Sequence, residues 1–376
     1  MKIFLFDMDG VLLESHGYHL ALQETVHRVA KALGIEDITL SLDDMATFEA
    51  GGITSEWDEA AIIIGLLLIT IWVTDPDRKL PQSIEETASR IEWQKEPDYN
   101  ALARALSVPD LQNLHPLKRA ERHFFSTNQF TRFQTDILLD LIHMARNPEH
   151  SLTHRTFQEL VLGSHVYSHT YGLSAVLNCE SYLLKHDISN LSRAESAHLS
   201  DWLSVPGHAA AVLTSRPSKP PVGVFCTPEA ELGAEQVGLS GIPITGWGGM
   251  TWLGMHYQVE PQIFLKPSPV HALAALCMAL GDAQETALTQ AVELVRSGQP
   301  GSAWWRLEGA QAYVFEDSPG GIKSLKTAQA VLDAVGIHIE TCNLGIASNP
   351  AKIRTLRDHG AQVFHSLGEA LNLSMG

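Results

Sequence analysis

Two aspartates, Asp7 and Asp9, follow the apolar run KIFLF with one residue between them, and Gly10 closes the turn. Side chains two apart on an extended strand point to the same face. Two carboxylates so placed can divide a reaction, one attacking an electrophile and the other moving protons. Three further short apolar runs end in complementary groups. Thr214 and Ser215 follow AAAVL, Lys266 follows QIFL, and Glu316 and Asp317 follow AYVF. In an open parallel sheet, functional groups gather in the crevice beyond the carboxyl ends of the strands. Residues from opposite ends of the chain can therefore share one pocket.

The elements that must position them are legible as a change of texture along the chain. After Pro206 and Gly207, short apolar runs alternate with helical windows such as 269–280, 286–296 and 321–335. The runs lie in AAAVLTSRP, PVGVFCTP, GIPIT, QIFLKPSP, AYVFEDSPGG, GIHIETCNLG and AQVFHS. This alternation predicts an α/β fold with a doubly wound parallel sheet. The KIFLF run has no helical partner nearby and joins the same sheet. Between them the pattern is helical: Leu22, Val26, Val29 and Leu33 form one apolar stripe. Further windows cover 84–93, 99–106, 133–144, 174–184 and 194–203, with no strand expected. The sheet domain is thus expected over residues 1–14 and 206–376, with an all-helical domain over 15–205 inserted between its first strand and the rest.

The ordered stretches DMDGV, LTSRP, LKPSP and FEDSPGGI resemble the four motifs of the haloacid dehalogenase superfamily, in particular its phosphatases and phosphomutases. The resemblance covers about half the chain; the helical insert is similar to that family's cap in position and helicity. It implies that Asp7 is the nucleophile, forming an aspartyl phosphate, and that Asp9 is the general acid and base. It implies Mg2+ as cofactor, held by Asp7, the backbone carbonyl of Asp9, and Asp317, with Glu316 as a ligand or outer partner. Lys266 would shield Asp7 and bind phosphoryl oxygens, and the Thr214 hydroxyl, preferred over Ser215, would donate a further bond. The loop GGITSEWDE resembles the polar loop by which some caps read the leaving group, which would give Thr54, Ser55 and Glu56 a part in substrate specificity. The alternative for Thr54 or Ser55 is a helix N-cap.

The expected function is Mg2+-dependent hydrolysis of a small-molecule phosphate monoester. Two alternatives stay open: a phosphomutase, which would pass the aspartyl phosphate to a sugar hydroxyl, and a binding or regulatory protein that retains the site. Haloacid dehalogenation is disfavoured by the presence of Asp9.

Gross properties fit a well-packed soluble protein. The 376 residues are 45% hydrophobic, enough for two domains with real cores. A formal charge of -17 disfavours nucleic acid and anionic membrane surfaces as partners. Cys179, Cys226, Cys277 and Cys342 show no metal-binding or disulfide spacing, and a reducing cytoplasm is expected. The apolar segment AAIIIGLLLITIWV, residues 60–73, makes about 21 Å of helix, too short for a membrane span, and is read as a buried helix. HVYSH, with His165 and His169, reads as a surface pair, and GWGGMTWLG as a loop with aromatic anchors.

Overall fold

The computed structural model describes residues 1–92 and 97–376. The chain divides into two compact units, one formed by Met1–Ser15 with Asp187–Gly376 and the other by His16–His186.

The first unit is α/β. Among the described residues its strands are β1 (Lys2–Phe6), β2 (Leu13–Glu14), β3 (Ile188–Ser189), β4 (His208–Leu213), β5 (Ile244–Thr245), β6 (Gln311–Glu316), β7 (Glu340–Ile346) and β8 (Gln362–Phe364). Six of them form one parallel sheet in the order β5-β4-β1-β6-β7-β8, while β2 and β3 pair antiparallel as a separate ribbon. Strand alternation sorts the core into two layers. Ile3, Leu5, Ala211, Leu213, Ala312 and Val314 meet the helices Pro269–Ala279, Gln284–Ser297 and Pro319–Ala334 on one face. Phe4, Phe6, Val212, Phe315 and Leu344 meet the helices Arg193–Leu203, Glu229–Gln236 and Leu367–Met375 on the other. Burial on both faces explains why the strands read as continuous apolar runs.

Three sequence expectations for this unit are corrected. The helix Arg193–Leu203 belongs with the sheet, not with the helical unit, because Trp202 stacks on Phe4 of β1 at 4.2 Å and on His208 at 3.9 Å. The boundary therefore falls at Asp187, well before residue 206. QIFL forms a 3-10 turn, Pro261–Phe264, and PVGVFCTP no strand at all. Pro261 and Pro267 bracket the first run and cannot donate to a ladder, and Val222 in the second is 91% exposed. GWGGMTWLG is the start of a helix, Trp247–Tyr257, whose glycines serve close packing. A Cβ on Gly248 would stand 2.0 Å from the Ser218 carbonyl oxygen.

The second unit is helical among its described residues, with Gly17–Ala32, Glu56–Ile71, Pro116–Thr127, Arg132–His143 and Leu152–Leu162 as its longer helices. Glu56–Ile71 contains residues 60–71 of the long apolar segment and packs against the other four, while Val73 beyond its end is exposed. Gly65 sits where a Cβ would meet the Phe124 ring at 2.9 Å, so its absence permits that approach. The window 99–106 is a helix as expected, Tyr99–Leu106, and 133–144 matches Arg132–His143. Residues 84–92 are not helical, and Trp93 lies outside the described residues. Of 174–184 only the end is helical, in Tyr182–His186. His165 and His169 are exposed on the helix Ser164–Tyr171, as expected of a surface pair. No helix among the described residues is long and apolar enough to cross a membrane.

Candidate active site

Register places the carboxylates. Phe6 is aligned with Val212 on one side and Phe315 on the other, so the next residue, Asp7, emerges beside Leu213 and Glu316. The Asp7 amide donates to the Phe315 carbonyl at 2.9 Å, extending the ladder by one bond. Parity puts Asp7 on the face of Ile3 and Leu5, and Glu316 on the face of Ala312 and Val314. That is the face over which the Pro261–Phe264 turn and the Pro269–Ala279 helix pack.

Lys266 enters from that side, and its ammonium uses all three donors. Nζ lies 2.6 Å from Asp7 Oδ1 and 2.7 Å from Glu316 Oε1, and donates to the Leu213 carbonyl at 3.3 Å. The side chains of Lys266 and Asp7 are nearly buried and that of Glu316 fully so. Burial alone would lower the lysine, yet the Asp7 and Glu316 charges overcome it and hold the ammonium protonated well beyond its ordinary range. Asp7 is pushed well up, by burial first and then by Glu316, while Lys266 pulls the other way.

A histidine fixes the lysine's backbone. His271 is fully buried, its Nδ1 accepts the Lys266 amide at 3.0 Å, and its Nε2 lies 3.1 Å from the Thr245 carbonyl. An acceptor at one nitrogen and a carbonyl at the other require the neutral Nε2–H tautomer. Burial, then the Lys266 charge, lower its pKa to about 3, which keeps it neutral.

Asp317 completes an acidic group. One carboxylate oxygen from each of Asp7, Glu316 and Asp317 lies within 4.8 Å of the other two. Asp317 Oδ2 is paired to Lys352 Nζ at 2.6 Å. Two glycines make room: a Cβ on Gly10, which has φ of +75°, would stand 2.4 Å from Asp317 Oδ2, and one on Gly321 would stand 2.1 Å from Glu316 Oε1. The donor set suits a hard divalent cation held by oxygen. Glu316 is already committed, with Oε1 to Lys266 and Oε2 to the Ser318 hydroxyl at 3.0 Å. Asp7 and Asp317 are the better placed ligands, and Glu316 suits the outer role.

Asp9 has a different environment. Its carboxylate is gripped by Arg216, with Nη2 at 2.6 Å and Nε at 2.9 Å from Oδ1, and it also accepts from the Ser15 hydroxyl. Burial would raise its pKa, but the Arg216 charge and these bonds outweigh burial and hold it below the usual carboxylate range. Thr214 is buried, and its Oγ1 accepts the Arg216 amide at 3.1 Å, whereas Ser215 is exposed. Thr54, Ser55 and Glu56 belong to the helical unit. Ser55 occupies the N-cap position of Glu56–Ile71 but makes no capping side-chain bond. A cavity of about 430 Å³ opens beside Asp317, lined among others by Gly10, Ser348, Lys352, His365 and Ser366.

Sequence reasoning thus missed Arg216, His271 and Lys352. Arg216 lies inside the LTSRP motif and was open to reading, since an arginine beside a carboxylate-rich pocket invites pairing. His271 and Lys352 sit on helices with no local signal.

No protein-family model and no curated protein matches the chain. A crystal structure titled as Northeast Structural Genomics Consortium target ZR25 is similar, with a TM-score of 0.62 and 16% identity over 99% of this chain and 98% of that one. At that identity the likeness concerns the fold.

Proposed function

We propose that the chain is a haloacid dehalogenase-like phosphatase that hydrolyses a small phosphate monoester through an aspartyl phosphate on Asp7, with the helical unit as its cap. The observation that carries this reading is the convergence of a buried carboxylate, a lysine 2.6 Å away and a second acidic pair at the same sheet edge. Such a group has little use in a structural core, where unbalanced buried carboxylates are costly.

In this reading Asp7 Oδ2 attacks phosphorus. Oδ1 is occupied by Lys266 and by the Met8 amide at 2.8 Å, and no partner of Oδ2 is present among the described residues. As the Asp7 O–P bond forms, the ester P–O bond breaks and the leaving oxygen takes a proton from Asp9. Arg216 keeps Asp9 ionised in the free protein, so that proton must first be delivered, and a phosphate monoester entering as its monoanion carries one. In the second half a water attacks phosphorus, Asp9 accepts its proton, and the Asp7 O–P bond breaks to release inorganic phosphate. Mg2+, held by Asp7 and Asp317, would supply charge to offset the phosphoryl oxygens and favour ionised Asp7. Lys266 adds a fixed positive charge and Thr214 a hydroxyl at the β4 end. The cavity beside Asp317 is the natural place for the leaving group. A cytoplasmic location belongs to the same reading.

Assay of the purified chain against a panel of phosphate esters, with and without Mg2+, tests this. The expected result is Mg2+-dependent phosphate release that Asp7→Asn abolishes. Release by Asp7→Asn at the wild-type rate, or none from any ester, would overturn it.

A further inference from the structure

We infer that Arg216, itself fixed by Asp187 and Ser15, is a positioning residue for Asp9 and makes Oδ2 the oxygen through which protons pass. This rests on the phosphatase reading above and adds to it a part for the two points where the chain leaves and re-enters the sheet unit. The two Asp9 oxygens are treated unequally. Oδ1 receives Nη2 at 2.6 Å, Nε at 2.9 Å and the Ser15 hydroxyl, whereas Oδ2 receives only Nε, at 3.1 Å. Three donors exhaust the lone pairs of Oδ1, so proton exchange falls to Oδ2.

The clamp is buried where its target is not. The Arg216 side chain is 2% exposed and that of Asp187 is fully buried, while that of Asp9 is 43% exposed. Arg216 Nη2 also contacts Asp187 Oδ2 and the Ser15 hydroxyl, each at 2.9 Å. Ser15 is the last residue of the sheet unit before the helical insert, and Asp187 is the first after it. The β2–β3 ribbon joins the same two crossings, aligning Leu13 with Ser189 and Glu14 with Ile188. One planar guanidinium therefore holds both crossings and the proton-carrying carboxylate in a single frame, which a flexible ammonium cannot do. In the first half-reaction the proton leaves Oδ2 for the departing oxygen, and in the second a water proton arrives there.

The test compares wild type, Asp187→Asn, Arg216→Lys and Ser15→Ala with Mg2+ on two probes, phenyl phosphate and p-nitrophenyl phosphate. Phenolate leaves poorly without a proton; p-nitrophenolate leaves readily. Loss of positioning lowers kcat/KM, which reports only the steps through departure of the aryl oxygen, by about 10- to 100-fold for phenyl phosphate in Asp187→Asn and Arg216→Lys, and by less than about threefold for p-nitrophenyl phosphate. Ser15→Ala shows the same pattern at smaller size and decides the matter if either clamp variant fails to fold. Equal losses on both probes, or no loss, would overturn the positioning role while leaving the phosphatase reading intact. Turnover of neither probe by wild type would instead strike the phosphatase reading, and this inference with it.

Discussion

Lys266 Nζ stands 2.6 Å from Asp7 Oδ1 at the carboxyl edge of the sheet, and the same ammonium binds Glu316 at 2.7 Å. One cation thus serves two buried carboxylates in the resting protein, and its removal should be felt in stability as well as in activity.

Lys266→Met leaves Asp7 and Glu316 buried with no ammonium between them. The expected cost is about 3 to 5 kcal/mol in urea unfolding at pH 7. The loss should shrink as the pH falls and the freed carboxylates become protonated, because the neutral forms no longer need the cation. A variant as stable as wild type at pH 7 would mean that the pair is not formed.

His271 gives a second pH signature. Its folded pKa of about 3 lies below the ordinary 6.5, so its stabilising contribution is complete above pH 6.5 and is lost as pH falls toward 3. The loss amounts to at most about 5 kcal/mol. His271→Asn should be less stable than wild type at pH 7, and the gap should narrow steadily between pH 6.5 and 4 when followed by denaturant melts. A constant gap would place the charge change elsewhere.

Glu59 works in the opposite sense, inside the helical unit. It is nearly buried, its Oε1 lacks a hydrogen-bond partner among the described residues, and burial followed by Glu56, Glu49 and Asp44 raises its pKa to about 9. The fold holds the neutral acid, whereas the unfolded chain ionises above about pH 4.5. Stability is therefore fully present below that value and lost as pH rises toward 9. Glu59→Gln should raise stability at pH 8 by about 1 to 4 kcal/mol and leave it unchanged at pH 4. Thermal melts at the two pH values check this, and a variant less stable at pH 8 would show that the carboxyl has a charged role.

How much of this was open to reading from the sequence depends on the kind of signal each residue leaves. Asp7, Asp9, Glu316 and Asp317 were found because strand ends announce themselves, an apolar run stopping at charged residues. Lys266 was found for an incomplete reason: QIFL resembles a strand by composition, but its flanking prolines force a turn, and the lysine reaches the site from above the sheet face. The helix Arg193–Leu203 was assigned to the wrong unit because amphipathicity reports that one face is buried, not what buries it, and the Trp202–Phe4 stack is a contact between distant segments. His271 and Lys352 act through such contacts too, and no local pattern marks them. The glycines of Trp247–Tyr257 misled for a related reason. They were read as part of a loop with aromatic anchors, whereas they allow the Ser218 backbone and other neighbours to pack close.

The central claim is that Asp7 carries the phosphoryl group. Wild-type protein turning over an aryl phosphate with Mg2+ is quenched in acid, digested, and the N-terminal peptide examined by mass spectrometry. The account predicts a phosphorylated fraction localised to Asp7, formed on mixing with substrate and absent from Asp7→Asn. Steady phosphate release with no modification on Asp7, or with the modification on another residue, would contradict it.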